Sequence, residues 1–547
     1  MRSGRQAVGA LFVVVCLMAV FAGPPFVVTA IYRQEIARLS LAEAMVGTGV
    51  IAGKLNFGDP TAGYPADARD QMPDGAAWWA LLFAPACVLA GVSAVAARPL
   101  DVLTARHKLG RRGYDVRGSR PREWARPRDV ARLVVGDRSG ERMTLGKLDR
   151  RLLAGDPEAH TLICAPPRAG KTTGYVIPWL LEHDGPAVVT STKHDVWGAT
   201  ERHRAEGGRV WVYDPFSADS CCWNPLEGCK DWSRALRQAH WLTDAASRPG
   251  HGNHVEEFWS GEASKLLAPL LHAAALAGGD TSIGQVVSWL ETTDRTAPLD
   301  VLRSDGDPAA HLQLEGVLAL DPRNVGTTYM STAHLLQAYR FPEVLATAKD
   351  GFTASRLLEG GATTLYLTSS SRHQKMLAPI LVALVSSVID AAIEQSRAAG
   401  KPLDPLLRVL LDEVANCAPL GSLPGHLSDV AAYGVRIATV WQSIAQMRDR
   451  YGDAKDTIIG ASTDKVFLGP ITDKTTREEV VDLLGRHKVE VDDHSTLAEK
   501  ATAQDLQQLT WGRALVVSGS LPPAVVRFDP HWRTEPAAGR IGRQRAA

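Results

Sequence analysis

A short apolar segment that leads into a Gly-Lys-Thr loop is the feature that most restricts the fold of this chain. Residues Thr161–Cys164 predict a buried strand, and the apolar residues from Tyr175 to Leu181 suit a helix. A loop between a strand and a helix can direct backbone N–H groups at a phosphate, and the helix dipole adds partial positive charge there. This order is the context that a Walker A loop requires. The residues predicted to bind a nucleotide are Ala165, Pro166, Pro167, Arg168, Ala169, Gly170, Lys171, Thr172 and Thr173.

Two residues of this loop have specific predicted roles. Lys171 is expected to reach the β- and γ-phosphates, and the Thr172 hydroxyl is expected to ligate Mg²⁺. Ala165 stands where the Walker A pattern has its first glycine. An alanine fits there if its φ is negative, because it adds only a methyl group. The loop is a weak signal by itself, so the prediction depends on the rest of the site.

A second apolar strand ends in two acidic residues. Leu406–Leu411 is followed by Asp412 and Glu413, a Walker B pattern in which Asp412 holds Mg²⁺ through water and Glu413 acts as general base. An acidic pair can instead cap a surface helix, but α/β sheets bind ligands where their parallel strands end. A third strand, Arg436–Trp441, ends at Gln442, whose amide could sense the γ-phosphate. ATP and Mg²⁺ are therefore the predicted cofactors, and the predicted catalytic residues are Lys171, Glu413 and Gln442.

Further apolar runs supply the rest of a sheet, and helical patterns separate them. Residues 376–395 and 477–484 have helical spacing. This alternation predicts an α/β fold with a mostly parallel, doubly wound sheet, as in RecA-like P-loop NTPases. The other predicted strands are Pro186–Thr192, Arg209–Asp214, Thr363–Thr368, Lys465–Leu468 and Ala514–Val517.

Two long uncharged stretches near the N-terminus predict transmembrane helices. No charged residue occurs from Gln6 to Tyr32 or from Gly75 to Ala97, and either stretch can cross a hydrocarbon core of about 30 Å. The predicted spans are residues 7–31 and 75–97. The first stretch also has features of a cleaved signal peptide, because Val20-Phe21-Ala22 resembles a small-residue cleavage site.

The charges that flank the second stretch predict the orientation. Lys plus Arg and Asp plus Glu number 60 each, so the net charge of zero indicates no particular partner. Residues 98–128, however, contain ten basic and three acidic residues, whereas the loop from 33 to 74 contains four basic and six acidic ones. The positive-inside rule therefore predicts an extracytoplasmic loop and a cytoplasmic ATPase domain in a multi-pass protein of the inner (cytoplasmic) membrane.

Several segments, in order, resemble the coupling-protein ATPases of type IV secretion and conjugation, the TraG/TraD-like family. Residues 165–178 (APPRAGKTTGYVIP) are similar to that family's phosphate loop, and residues 188–197 (VVTSTKHDVW) to the strand that follows. Residues 212–226, ending in Trp-Asn-Pro-Leu, and residues 410–452, from the acidic pair to the Gln-Ser strand end, also resemble it. The resemblance covers residues 155–530.

This resemblance implies a homohexameric ring with ATP sites between subunits. It implies that ATP hydrolysis moves DNA, with the single-stranded form favoured, or a complex of DNA with a relaxase-type protein cargo. The further implied partners are the secretion channel proteins and the lipid bilayer. Relatives often carry an arginine before the Tyr-Gly pair, where this chain has Ala431 and Ala432. The sequence therefore leaves open which arginine, if any, acts in trans on the neighbour's phosphate, and Arg372 and Arg436 are both candidates.

The predicted domain order combines these elements. It comprises a membrane anchor (1–100), a basic juxtamembrane linker with the start of the cytoplasmic domain (101–150), the first NTPase part (151–230), an all-helical substrate-recognition insert (231–355), the second NTPase part (356–530) and a flexible basic tail (531–547).

Two other functions remain open from the sequence. The first is an FtsK-like double-stranded DNA translocase for segregation, which is disfavoured because such pumps usually add a C-terminal DNA-reading module. The second is a docking adaptor that binds ATP with little turnover, which the departures at Ala165 and Ala431 keep open.

Overall fold

The computed structural model describes residues 64–69, 72, 77, 124–138, 140–250, 254–279, 281–491 and 494–533. The chain divides into two units, residues 1–120 and 121–547. In the first unit the structure describes one helical turn, Ala66–Arg69, and Arg69 Nε donates a hydrogen bond to the Tyr64 carbonyl at 2.7 Å. The predicted spans 7–31 and 75–97 and the tail from residue 534 lie outside the described residues, apart from Ala77.

Within the described part of the second unit, twelve strands form one mixed sheet. Its order is β1-β3-β2-β14-β13-β10-β4-β9-β8-β5-β7-β6. Strands β11 and β12 pair separately as an antiparallel hairpin. The strands are β1 (Val134–Val135), β2 (Thr144–Leu148), β3 (Arg151–Ala154), β4 (Thr161–Cys164), β5 (Ala187–Ser191), β6 (Val210–Tyr213), β7 (Thr364–Thr368), β8 (Leu407–Leu411), β9 (Val435–Trp441), β10 (Asp464–Leu468), β11 (Arg486–Val491), β12 (His494–Glu499), β13 (Arg513–Ser518) and β14 (Ala524–Arg527).

The strands from β10 to β6 are parallel and buried between two helical layers. Leu162 of β4 packs in one apolar layer with the helix Gln374–Ala399, and Ile163 packs in the other with the helix Ile177–Glu182. A sheet that is covered on both faces needs continuous apolar strands, which explains why these strands lack an alternating pattern. Every strand predicted from the sequence coincides with a strand of this sheet. The helices are α1 (Ile177–Glu182), α2 (Asp195–Gly207), α3 (Trp232–Asp244), α4 (His254–Ala277), α5 (Ile283–Thr292), α6 (Thr296–Asp305), α7 (Pro308–Leu318), α8 (Pro322–Leu335), α9 (Pro342–Ala346), α10 (Ala354–Leu357), α11 (Gln374–Ala399), α12 (Val414–Cys417), α13 (Leu423–Asp429), α14 (Ile444–Tyr451), α15 (Lys455–Ala461), α16 (Lys474–Leu484) and α17 (Ala503–Gln507).

An antiparallel extension continues the sheet beyond β10. Strand β13 pairs antiparallel with β10, and β14, β2, β3 and β1 follow, each antiparallel to its neighbour. Short connections such as Asp149-Arg150 between β2 and β3 allow only antiparallel pairing, because a parallel pair needs a long crossover. The apolar pattern of the sequence did not predict β1, β2, β3 and β14, so the sheet is more mixed than expected.

The described residues between β6 and β7 form helices joined by turns and contain no strand. This insert consists of α3 to α10. Helix α3 joins the insert to the sheet domain. Its Arg234 Nη1 and Arg237 Nε lie 3.3 and 3.4 Å from Oδ2 of Asp390 on α11. Among the described residues, α11 is the one helix long and apolar enough to cross a membrane, but most of it is buried inside the domain. We interpret α11 as the core helix of the sheet.

Candidate functional site

The phosphate loop begins at the carboxyl end of the central strand β4. The Ala165 N–H donates a hydrogen bond to the Trp441 carbonyl at 3.0 Å, so the strand pairing continues into the loop. The loop then turns through residues with positive φ, Arg168 at 65° and Gly170 at 95°. Such left-handed residues turn successive N–H groups toward one concave side, which is the geometry of an anion-binding nest. Pro167 and Arg168 are exposed, whereas Ala169 is buried.

Ala165 lies in a conformation that suits an alanine. Its side chain is buried, and it is not among the non-glycine residues with positive φ. The missing glycine therefore imposes no backbone strain at the start of the loop.

The loop and the acidic pair meet at one edge of the sheet. Strands β4, β9 and β8 are adjacent and parallel, so their carboxyl ends lie side by side. The Thr172 hydroxyl donates a hydrogen bond to Asp412 Oδ2 at 2.9 Å. On the neighbouring strand β5, the Thr190 hydroxyl donates to the Asp412 carbonyl at 3.0 Å and holds the end of β8. The two predicted metal-binding residues are therefore in direct contact.

Glu413 contacts the two other predicted catalytic residues. Its Oε1 lies 3.6 Å from Lys171 Nζ and accepts a hydrogen bond from Gln442 Nε2 at 3.2 Å. Glu413 has φ 57° and ψ 53°, a left-handed conformation that is unfavourable for a residue with a side chain. The short helix α12 begins directly after it. This backbone turn directs the carboxylate toward the loop and the Gln442 amide.

The environment of Asp412 fits a divalent cation. Burial raises the pKa of Asp412 to about 6, and the positive charge of Lys171 and the hydrogen bond from Thr172 oppose this rise. The other carboxylate oxygen, Oδ1, is buried and has no hydrogen-bond partner. A carboxylate and a hydroxyl are oxygen ligands of the kind that Mg²⁺ prefers, and Mg²⁺ takes its remaining ligands from water and phosphate. The orphaned oxygen and the convergent loop thus fit a magnesium-bound nucleotide.

The two candidate arginines lie at opposite edges of the sheet. Arg436 is at the start of β9, and its guanidinium donates to the Pro157 and Ala431 carbonyls at 2.6 and 2.7 Å. Arg436 is buried and its guanidinium is held by these two carbonyls, which favours a structural role over a role on a neighbouring subunit. Arg372 follows β7 at the carboxyl edge and is exposed.

A C-terminal segment that the sequence analysis did not assign to the site covers the phosphate loop. The Phe528 ring is buried with its centroid 5.2 Å from that of Tyr175. His531 Nδ1 lies 3.3 Å from the Thr173 carbonyl oxygen, so residues 531–533 are part of the folded domain and not of the predicted tail. No local pattern predicts these contacts, because they join residues more than 350 positions apart.

Comparisons with known proteins identify the family and the fold of this chain. Residues 125–518 match the family "Type IV secretory system Conjugative DNA transfer". The chain is 25% identical over 362 residues to the conjugal transfer protein TraG of Escherichia coli, covering 59% of this chain and 56% of TraG. It is 25% identical over 337 residues to VirD4 of Agrobacterium fabrum, covering 59% of this chain and 49% of VirD4. The chain thus spans about half the length of the curated relatives it matches.

Solved structures of the plasmid coupling protein TrwB have the same fold. TrwB in complex with a non-hydrolysable ATP analogue superposes with a TM-score of 0.59 at 20% identity, covering 75% of this chain and 96% of that one. TrwB in complex with ADP and Mg²⁺ gives 0.57 at 19% identity, covering 75% and 93%. The sheet is that of a RecA-like NTPase, and the chain belongs to the type IV secretory system conjugative DNA transfer family, the family of the type IV coupling proteins.

Proposed function

We propose that this protein is a membrane-anchored ATPase that couples ATP hydrolysis to the delivery of DNA, or of a DNA–protein complex, into a type IV secretion channel. The observation that carries the proposal is the convergence of Lys171, Thr172, Asp412 and Glu413 at one sheet edge, although 240 residues separate Thr172 from Asp412. Relatives named for conjugal transfer, such as TraG, support the role in DNA transfer.

The residues of the loop would hold the nucleotide. Its N–H groups and Lys171 would bind the phosphates, while the Thr172 hydroxyl and Asp412 would hold Mg²⁺. Mg²⁺, when bound, neutralises charge on the phosphate oxygens. The solved complexes of TrwB with nucleotides and with ADP and Mg²⁺ support this use of the fold.

Glu413 is the group that accepts a proton from the attacking water. Its carboxylate is 21% exposed, so water can reach it, and the Gln442 amide and Lys171 hold one of its oxygens. An oriented carboxylate at the end of a strand suits a general base. Gln442 donates from the adjacent strand β9, so a change at Gln442 would alter the orientation of Glu413. Through the hydrogen bond from Gln442 to Glu413, a change at the γ-phosphate that moves Glu413 would also affect the end of strand β9.

The family and the position of the site at the carboxyl edge of the sheet support an assembly with sites between subunits. Sites that lie at the carboxyl edge of the sheet can be completed by an arginine from a neighbouring subunit, and Arg372 is the exposed candidate. We propose a homohexamer, anchored in the inner membrane through residues 7–31 and 75–97 with the ATPase domain in the cytoplasm.

The helical insert is the proposed substrate-recognition domain. Large apolar side chains are exposed on it, with Leu312 at 69% and Met330 at 72% exposure. A contiguous exposed apolar patch is typical of a protein-binding surface, and Met330 shares a groove with Trp259, Ala263 and Leu335. This supports contact with a relaxase-type cargo protein.

The test is steady-state ATP hydrolysis by the detergent-solubilised protein, alone and with single- or double-stranded DNA. We expect DNA-stimulated turnover that Lys171→Ala and Glu413→Gln abolish. Glu413→Gln should still bind ATP, because it removes only the proton acceptor. Lys401→Ala is the matched control, since Lys401 is exposed near the start of β8, at the opposite sheet edge. Equal rates in the wild type and both site variants would contradict the motor and favour an adaptor with little turnover.

A further inference from the structure

Two exposed tryptophans lie beside the phosphate loop. Trp511 and Trp532 are each 51% exposed, whereas the other tryptophans that the structure describes are buried or partly buried. Tryptophan is usually largely buried, so two half-exposed indoles next to one site call for an explanation. From their position we infer that they form a stacking platform for the base of the bound nucleotide. The inference rests on the proposed nucleotide binding and extends it to the nucleoside end of the ligand.

The topology brings Trp511 to the site from the side opposite the acidic pair. Strand β13 begins two residues after Trp511 and runs antiparallel to β10, with Ala514 paired to Leu468 at the carboxyl end of β10. In the sheet, β10 lies on one side of the loop strand β4, and β9 and β8 lie on the other. Trp511 therefore lies at the same edge as Asp412, but across the phosphate loop from it.

A chain of aromatic contacts attaches Trp511 to the loop. The Phe528 ring centroid is 5.2 Å from that of Tyr175 and 6.0 Å from that of Trp511. An ideal Cβ built on Gly170 would lie 3.3 Å from Trp511 Nε1, so the indole is next to the loop backbone.

The second tryptophan is attached at the far end of the loop. His531 Nδ1 lies 3.3 Å from the Thr173 carbonyl oxygen, and its ring is 4.8 Å from that of Trp532 in an edge-to-face arrangement. The helical turn Thr172–Val176, which follows the phosphate loop, is thus flanked by aromatic side chains of the C-terminal segment.

The direction of the nucleotide follows from the charges. Asp412 and Glu413 belong at the γ-phosphate end, because the metal ligand and the proton acceptor act there. The nucleoside must then leave the loop on the other side, toward β10 and the C-terminal segment. Indole faces in this position offer stacking, which suits the flat ring of a base.

Stacking recognises the face of a base and not its edge. We therefore expect ATP and GTP to bind with similar affinity, and CTP and UTP more weakly, because purines stack better than pyrimidines. Inorganic tripolyphosphate has no base, so it reports on the phosphate loop alone.

The experiment compares equilibrium binding of Mg²⁺–ATP and Mg²⁺–tripolyphosphate to the full chain in detergent. Trp511→Ala combined with Trp532→Ala is expected to weaken ATP binding by about tenfold or more and to leave tripolyphosphate binding unchanged. Trp511→Phe should retain most of the affinity. Phe258→Ala is the control, because Phe258 is a similarly exposed aromatic residue, 58% exposed, on the helical insert.

Three results would overturn the inference in distinguishable ways. If Lys171→Ala abolishes ATP binding but the double tryptophan variant binds like wild type, the platform is wrong and the nucleotide site stands. Equal losses for ATP and tripolyphosphate would mean that the indoles only support the loop structure. If Lys171→Ala affects neither ligand, the proposed nucleotide site fails and the platform fails with it.

Discussion

The Thr172 hydroxyl donates a hydrogen bond to Asp412 Oδ2 at 2.9 Å, and this contact joins the phosphate loop to the end of strand β8. Thr172 lies just beyond the loop that follows β4, and Asp412 directly follows β8, with β9 between these two strands, so the contact depends on the parallel register of three strands. The other oxygen of this carboxylate, Asp412 Oδ1, is buried and has no hydrogen-bond partner. Thr172 and Asp412 are therefore arranged to bind the same cation.

The first prediction concerns this pair. Thr172→Val removes a ligand at nearly constant volume, so ATP affinity in the presence of Mg²⁺ should fall at least about tenfold. Affinity measured in EDTA should change little, because the loop N–H groups and Lys171 remain. Thr172→Ser keeps the hydroxyl and should behave like wild type. Equal Mg²⁺ dependence in the valine variant and the wild type would contradict the assignment.

The second prediction concerns the packing of the C-terminal segment on the loop. An ideal Cβ on Gly174 would lie 2.5 Å from Phe528 Cδ2. Gly174→Ala should therefore lower the free energy of unfolding by about 1–3 kcal/mol, because the clash displaces a buried ring. Thermal unfolding measures the effect.

Two further variants test the origin of that loss. Gly198→Ala is the control, since Gly198 lies in α2 with no atom within 4 Å of its ideal Cβ, and alanine there should be neutral or stabilising by about 1 kcal/mol. Adding Phe528→Leu to Gly174→Ala should cost less than the sum of the single changes. Strict additivity would show that Phe528 is not the residue that the alanine meets.

The third prediction separates the two candidate arginines. Arg372→Ala should lower ATP turnover by about tenfold or more while ATP binding stays unchanged, because Arg372 is exposed at the carboxyl edge and would act on a neighbouring subunit. Arg436→Ala should instead lower thermal stability, since it leaves the Pro157 and Ala431 carbonyls without their donor.

Mixed assemblies test the action in trans. Subunits with Arg372→Ala retain an intact loop, and subunits with Lys171→Ala retain the arginine. Mixing the two should restore part of the turnover that each lacks alone. Failure to recover any turnover in assemblies shown to contain both subunits would rule out Arg372 as the shared residue.

The fourth prediction concerns pH and Asp464. Burial raises the pKa of Asp464 from 3.8 to about 6, and nearby Ser518 opposes this rise. Below about pH 4 the carboxyl is protonated in both the folded and the unfolded chain, so it contributes nothing. As the pH rises to 6, the unfolded chain releases its proton first, and the folded state is destabilised relative to it. The loss is complete above pH 6 and amounts to about 3 kcal/mol.

Asp464→Asn should therefore raise the unfolding free energy more at pH 8 than at pH 4, measured by denaturant unfolding at both values. Asp482→Asn, at an exposed position on α16, should show no such difference. The same effect of Asp464→Asn at both pH values would contradict the titration.

The elements of the site that are continuous in sequence could be predicted. Thr161–Cys164 and Leu407–Leu411 are strands because buried parallel strands need uninterrupted apolar residues, and that requirement is visible in the local composition. The chemistry of Lys171 and Asp412 follows from residue type and from position directly after a strand. Strands β1, β2 and β3 were missed because they are short and their residues do not alternate clearly between apolar and polar.

The amino-acid sequence by itself thus determined the parallel strands of the sheet, the Gly-Lys-Thr loop that follows β4, and the acidic pair that follows β8. Only the tertiary structure decided the antiparallel extension, the strand order that brings Thr172 to Asp412, the left-handed turn at Glu413, the burial of Arg436 and the packing of Phe528 on the loop. The reason is physical: composition and periodicity report on nearby residues, whereas these features depend on pairing and packing between segments that are hundreds of residues apart.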